Sequence, residues 1–135
     1  MQTFLPYPDF KDSANVLDVK RLGKQRVECL QILQTLLENK TAWRNHPAVR
    51  MWRGYEQCLV SYGITICLEW LEQGYKDTCL TKIEEYQDGE IIKPPWLGNK
   101  EFHSSHRSNL LRKNYEWYSY FEWTEPIDLP YYWPV

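Results

Sequence analysis

Apolar side chains recur at helical spacing in two long stretches of the chain, and this periodicity limits the possible folds more than any other feature. Residues three and four apart share one face of a helix, so such a stripe predicts a helix that buries that face. The first stripe comprises Val19, Leu22, Cys29, Leu30, Leu33 and Leu37. The second comprises Cys58, Leu59, Tyr62, Ile66, Trp70 and Leu71. No segment alternates apolar and polar residues as a half-buried strand does, so we predict an all-α fold.

Capping and helix-breaking residues set the ends of the predicted helices. Asp12 or Ser13 can cap the first helix, Gly74 can end the second long helix, and Asn99 can cap the last one. The predicted helices cover residues 12–38, 47–53, 55–73, 77–86 and 100–113, with an aromatic turn at 114–121.

The length of 135 residues fits one domain with its own core. We therefore predict a single helical domain over residues 1–135, a compact bundle of about three long helices with several short ones. Three prolines make the C-terminal tail irregular, so Tyr131, Tyr132 and Trp133 must anchor it if it is ordered.

The net charge of −2 hides a strong segregation of charge along the chain. Residues 11–53 carry nine Lys and Arg against four Asp and Glu, and residues 93–113 carry five against one. The acidic block 54–92 separates them. The two basic blocks could form one positive face suited to phosphate-bearing partners, or the segregation could be without function.

The four cysteines have neither CxxC nor zinc-site spacing, and Cys29, Cys58 and Cys67 lie within apolar helical patterns. We expect reduced, buried thiols. The N-terminus has no signal-peptide pattern, and no apolar run is long enough to span a membrane. We expect a cytoplasmic monomer that does not associate with membranes.

Polar and basic residues gather on one face of the first predicted helix. At 100° per residue, Arg21, Lys24, Gln25, Glu28 and Gln31 fall opposite the apolar stripe. The ordinary interpretation is a solvated face with a Lys24–Glu28 pair. Two features argue against it. Arg26 falls inside the stripe, where a charge needs a partner, and Leu17 and Ile32 fall on the polar face, which favours partial cover.

A second cluster surrounds the start of the predicted helix at Pro47. Arg44, Asn45, His46, Arg50 and Arg53 lie there with Trp43 and Trp52 nearby. Free N–H groups at a helix start suit phosphate, and the indoles suit stacking on a base or sugar. Capping by Asn45 with both tryptophans in the core explains the same residues equally well.

A third cluster, in the last long helix, contains His103, His106 and Arg107. Histidines three residues apart on a helix can hold a metal, but a third ligand is needed and His46 is the only other histidine. Two other interpretations of this cluster are possible: its side chains contact a phosphate or a substrate, or they pack at the surface.

The first helix carries a resemblance to a known family. Leu17, Asp18, Lys20, Leu22 and Glu28 are similar to the LDxKxL…E pattern of the pyrimidine-dimer DNA glycosylases of the phage endonuclease V type. The segment 43–47 resembles a YRNHP-like segment of short bacterial relatives, and residues 117–121 are similar to an aromatic run near the family's C-terminus. Those proteins are small, all-α and single-domain.

The resemblance implies a DNA glycosylase with AP lyase activity on damaged pyrimidine nucleotides, without a cofactor or metal. In that family the N-terminal α-amine attacks the sugar C1′ and forms an imine, and the glutamate matching Glu28 stabilises positive charge and moves protons. Gln2 is too large for the usual removal of Met1, so the amine would belong to Met1. Two arginines of the phage enzyme are replaced here by Val27 and Gln31.

We expect damaged duplex DNA as the partner, with a nucleotide-like small ligand as the alternative. The expected lining comprises Gln2, Arg21, Lys24, Gln25, Arg44, Asn45, His46, Arg50, Arg53, His103, His106 and Arg107. Two further hypotheses stay open: a non-catalytic binder of nucleotides or nucleic acid, and a metal-assisted hydrolase using His46, His103 and His106. The position of the Met1 amine relative to the Glu28 carboxylate separates the three.

Overall fold

The computed structural model describes all residues 1–135 and contains helices but no strand, which confirms the all-α prediction. The helices are α1 (Phe10–Val16), α2 (Val19–Leu37), α3 (Pro47–Arg50), α4 (Glu56–Glu72), α5 (Leu80–Glu84), α6 (Lys100–Lys113) and α7 (Tyr115–Tyr118), followed by a 3-10 turn at Ser119–Phe121.

The three long helices are α2, α4 and α6, and their ends follow the signals in the sequence. Asn99 caps α6 by accepting a hydrogen bond from the Phe102 N–H. Gly74 follows α4 with φ +94°, a left-handed conformation that glycine adopts at no steric cost. A side chain at Gly63 of α4 would lie 3.3 Å from Cys29 of α2, so glycine lets these two helices approach closely.

The first predicted helix is wrong in one respect, because it is two helices. The chain is extended at Leu17 and Asp18, between α1 and α2. Asp9, rather than Asp12 or Ser13, caps α1 by accepting from the Asp12 N–H. The backbone N–H that the break frees at Asp18 donates to the hydroxyl of Tyr118, so a long-range contact stabilises the interruption.

Two smaller differences concern helix ends and the apolar stripe. The short helices α3 and α5 end before residues 53 and 86, where the predicted helices ended. Val19 and Leu37, at the two ends of the first stripe, are 46% and 44% exposed, because the core contacts the middle turns of α2.

All four cysteines are buried and free, as predicted. Burial raises the pKa of the Cys29 thiol well above its ordinary value and that of Cys58 to about 11. Both therefore remain protonated near neutral pH. None of the helices combines the length and the apolar character that a membrane span requires.

The C-terminal tail, residues 122–135, is irregular and runs back along α6. The hydroxyl of Ser108 donates to Pro126 O and accepts from the Leu129 N–H at 3.0 Å. The hydroxyl of Ser105 accepts from the Tyr132 N–H at 3.1 Å. These bonds along α6 bring Tyr131 and Trp133 back against the core, close to the N-terminus.

Candidate active site

The first seven residues form an extended segment whose backbone is held by side chains rather than by another strand. Gln2 N–H donates to Glu28 Oε2 at 2.6 Å, and Leu5 N–H donates to His106 Nδ1 at 3.0 Å. Phe4 O accepts from the hydroxyl of Tyr62. Buried peptide groups require such partners, so α2, α4 and α6 together fix the path of the N-terminus.

Gln25 of α2 provides the central clamp. Its Oε1 accepts from the Phe4 N–H at 2.5 Å, and its Nε2 donates to Gln2 O at 2.7 Å. Gln25 is only 1% exposed and Glu28 only 7%. The interpretation of this α2 face as solvated is therefore wrong for Gln25 and Glu28, which the N-terminal segment covers, whereas Lys24 and Gln31 are exposed.

Arg26, which the helical wheel placed among apolar residues, has the partner that it requires. Its guanidinium forms an ion pair with Asp77 and lies 4.4 Å above the ring of Trp70. Arg26 thus stabilises the packing of α2 against the segment that follows α4.

His103 and His106 bond to the backbone C=O and N–H of Leu5, respectively. His103 Nε2 accepts from the Gly98 N–H at 2.9 Å, so its Nδ1 carries the proton and donates to Leu5 O at 2.8 Å. His106 Nδ1 accepts from the Leu5 N–H. Burial lowers the pKa of His103, and it lowers that of His106 to about 3. Both rings are therefore neutral near pH 7, and each bonds to the backbone of Leu5.

These contacts disfavour the metal hypothesis. No three His, Cys, Asp or Glu side chains lie together in a geometry that could hold a metal ion. Arg107 is also engaged, because it donates to Pro6 O at 2.7 Å and pairs with Glu125 at 2.8 Å. His103, His106 and Arg107 position the N-terminal segment and do not line the cleft described next.

Met1, which carries the N-terminal amine, lines a cleft of about 380 Å³. The Met1 nitrogen lies 3.9 Å from Glu28 Oε2. No protein group donates to Glu28 Oε1, which leaves that oxygen available to a ligand. The cleft is lined by Met1, Gln2, Phe4, Lys20, Arg21, Lys24, Glu28, His46, Lys113, Tyr131 and Trp133.

The cleft joins the two basic blocks of the sequence. Lys20 and Lys24 come from α2, and Lys113 comes from the end of α6. Partial burial, and then the neighbouring charges of Arg21, Arg112 and Lys24, lower the pKa of Lys113. Asp18 accepts from Arg21 at 3.1 Å and holds that guanidinium. Two segments far apart in sequence thus form one cationic wall, as the charge pattern suggested.

His46 reaches the cleft from the start of α3, where it replaces the predicted cap. Its Nδ1 accepts from the Ala48 N–H at 3.0 Å, while Asn45 is exposed and makes no capping bond. Burial, and then the charge of the Met1 ammonium group, lower the pKa of His46. The structure therefore brings His46, but not Asn45, to the amine.

The arginines of this second cluster are exposed and do not line the cleft. Arg53 donates to Arg44 O at 3.0 Å, and Arg50 points to solvent. The two tryptophans near this cluster differ in burial. Trp52 is fully buried and donates to Thr3 Oγ1, whereas Trp43 is exposed.

The sequence reasoning missed five residues that line the cleft and one that holds its wall. The five are Phe4, Lys20, Lys113, Tyr131 and Trp133, and Tyr62 bonds to Phe4 O. One signal was present: Phe4 and Leu5 make the segment before α1 apolar, and an apolar segment packs against the core rather than extending into solvent. The two prolines beside them suggested a loop and hid this signal.

Comparison with known proteins identifies the family of the chain. A family model described as pyrimidine dimer DNA glycosylase matches residues 1–83, which include the Met1 amine, Glu28 and His46. Searches of curated proteins and of solved structures found no match. The matched region covers more than half of the chain and includes the segment that carries the amine to the carboxylate. The chain therefore belongs to the pyrimidine dimer DNA glycosylase family.

Proposed function

We propose that this protein is a DNA glycosylase with AP lyase activity on damaged pyrimidine nucleotides, with the Met1 α-amine as nucleophile and Glu28 as the acid–base residue. One observation carries the proposal: the Met1 nitrogen lies 3.9 Å from the Glu28 carboxylate at the base of a cationic cleft. An α-amine titrates at lower pH than a lysine side chain, so more of it is neutral and nucleophilic near neutral pH.

The proposed reaction begins when the neutral amine attacks C1′ of the damaged nucleotide. The bond from C1′ to the base breaks, and the base leaves with one proton of the amine. The bond from C1′ to the ring oxygen then breaks, the ring oxygen takes up the second amine proton, and an imine joins Met1 and C1′. The C1′ centre carries positive charge as the base departs, and a carboxylate beside it stabilises that charge. We assign this role to Glu28 Oε1, since Oε2 already accepts from the Gln2 N–H.

The lyase step follows from the imine. Because the imine withdraws electrons from C2′, a base can remove a C2′ proton, and the phosphate on C3′ then leaves by β-elimination. Glu28 is the proposed proton acceptor. Hydrolysis of the imine releases the amine and the cleaved strand, so the protein is regenerated.

The cationic wall provides the proposed binding of the DNA backbone. Lys20, Lys24 and Lys113 are exposed at the cleft and are free of carboxylate partners. Lysines that neutralise phosphates release condensed counterions, so affinity for DNA should fall steeply with salt.

Borohydride trapping tests the chemistry. Native protein incubated with duplex containing an abasic site or a thymine dimer should give a covalent adduct after reduction, and acetylation of the N-terminus should abolish it. Glu28→Gln should lower the trapping rate by about 10²- to 10⁴-fold, the usual contribution of a general acid–base group. Glu72→Gln is the matched control, since Glu72 is an exposed carboxylate on α4 without an ion pair.

The absence of an adduct with native protein, or unchanged cleavage in Glu28→Gln, would overturn the proposal. Salt-sensitive binding of DNA without any adduct would instead favour the non-catalytic binder. An adduct that survives N-terminal acetylation would move the nucleophile to a lysine of the cleft.

A further inference from the structure

Aromatic rings line the cleft together with the lysines: His46, Tyr131 and Trp133 belong to its lining, and the exposed Trp43 adjoins His46. We name Trp43, His46, Tyr131 and Trp133 the aromatic face. The His46 ring centroid lies 6.0 Å from that of Trp43 and 6.1 Å from that of Trp133, in edge-to-face arrangements. The Tyr131 and Trp133 centroids are 5.5 Å apart. The four rings therefore form one contiguous cluster, three of which line the cleft with Met1.

The two tryptophans of the aromatic face differ from the other five in the chain. Those five donate their indole N–H groups to protein acceptors: Trp52, Trp70, Trp96, Trp117 and Trp123. Trp43 and Trp133 donate to no protein group. A buried tryptophan usually satisfies its N–H within the protein, whereas Trp43 is exposed and Trp133 only half-buried, so the N–H groups of these two can contact solvent or a ligand.

The backbone supports this interpretation at Trp43. Its φ is +65°, in the left-handed region that bulky residues rarely adopt, and its side chain is 62% exposed. The turn that holds it is closed by a hydrogen bond from the His46 N–H to Trp43 O at 2.9 Å. A strained residue that presents a large apolar ring to solvent indicates a functional constraint.

The tail residues of the aromatic face, Tyr131 and Trp133, are held in place by α6. Asn109 donates to Leu129 O at 3.2 Å, and Ser105 accepts from the Tyr132 N–H, so the tail is fixed on both sides of Tyr131. These tail residues lie outside the region 1–83 that the family model matches. The wall that they form is therefore a feature of this chain rather than of the matched region.

The lysines and the aromatic rings of the lining together indicate the chemistry of the ligand. Three lysines suit a phosphodiester, and aromatic rings suit a planar heterocycle that can stack on them. The volume, about 380 Å³, lies at the lower end of the range for small-ligand sites. A nucleotide that has left the base stack provides both parts in one ligand.

We propose that the aromatic face, with Trp133 at its centre, binds an unstacked pyrimidine base of the DNA strand whose phosphates contact the lysines. The inference deepens the proposed function and rests on it, because the bound base belongs to the nucleotide whose C1′ faces Met1. Base–aromatic stacking holds any planar base, so the contact does not require a lesion in the ligand.

Binding of two single strands of equal charge tests the proposal. One probe is a thymidine octanucleotide, and the other is an octamer of abasic tetrahydrofuran nucleotides, with both affinities measured by fluorescence anisotropy at one salt concentration. Native protein should prefer the thymidine strand. Trp133→Ala should weaken binding of that strand by about 5- to 150-fold, the range that stacking energies give, and binding of the abasic strand by less than about twofold. Trp133→Phe should keep most of the preference.

Tyr120→Ala is the control, because Tyr120 is an exposed aromatic residue that does not line the cleft. Trp43→Ala removes an exposed side chain and should also reduce the preference without disturbing the fold. Equal affinities of native protein for the two strands, or equal losses for both strands in Trp133→Ala, would overturn the proposal. The measurement needs no catalysis, so a failure of borohydride trapping would leave its result unaffected.

Discussion

Replacement of Gln25 by alanine should separate the position of the nucleophile from the integrity of the carboxylate. Gln25 is buried and bonds to both the Phe4 N–H and Gln2 O, which belong to the peptide groups on either side of Thr3. The variant leaves Glu28 and Met1 chemically intact but removes the hydrogen bonds that hold the N-terminal segment to α2. We therefore expect a loss of both stability and trapping rate.

The size of the stability loss follows from the groups left without partners. Two buried backbone groups lose their hydrogen bonds, and each unsatisfied group costs about 1–3 kcal/mol. Water can enter from the cleft side and relieve part of this cost, so we expect a decrease of about 2–4 kcal/mol in the free energy of unfolding. Native domains have only about 5–15 kcal/mol in total, so the variant should still fold.

Urea unfolding at neutral pH measures the stability, and single-turnover borohydride trapping on abasic duplex measures the chemistry. Gln31→Ala is the matched control, since Gln31 lies on the same helix and is exposed, with no side-chain hydrogen bond. A stability loss below about 0.5 kcal/mol in Gln25→Ala, within the ordinary range of surface substitutions, together with an unchanged trapping rate would refute the reasoning.

Two further predictions concern the supports of the site. Arg26→Lys should lower the free energy of unfolding by about 1–3 kcal/mol, because an ammonium group cannot reproduce both the pairing with Asp77 and the stacking over Trp70; chemical denaturation followed by tryptophan fluorescence checks this. The pKa of His106 lies near 3 in the fold, below its ordinary value, so the unfolded chain binds an extra proton between about pH 6.5 and 3. Native stability should therefore be fully present above that window and fall as pH decreases through it. His106→Asn, which can still accept from the Leu5 N–H, should show a shallower decrease, and equal slopes would contradict the assignment.

The helices that are fixed by local signals could be predicted, and those fixed by distant contacts could not. The cap at Asn99 and the glycine at Gly74 act within one turn of the helix end, so their residue types are sufficient. The break at Leu17 and Asp18 depends on the hydroxyl of Tyr118, a residue 100 positions later. No window of sequence around the break contains that information.

The same distinction holds for the candidate site. Helical geometry correctly placed Arg21, Lys24, Gln25 and Glu28 on one face of α2, and the family resemblance singled out Glu28. Neither argument could show that the N-terminal segment lies across that face. The spacing of His103 and His106 suggested ligands for a metal or a phosphate, whereas their environment makes them neutral partners of the backbone N–H and C=O of Leu5.

The structural role of Glu28 determines which variant can test its chemistry. An extended segment without a neighbouring strand needs side-chain partners for its peptide groups, and Glu28 Oε2 serves the Gln2 N–H in this way. In Glu28→Ala that N–H loses its acceptor, so the segment would shift and the amine would move with it. In Glu28→Gln the amide oxygen can still accept the bond while the negative charge is lost. A defect common to both variants therefore reports on charge and proton transfer, and any additional defect in Glu28→Ala reports on the position of the amine.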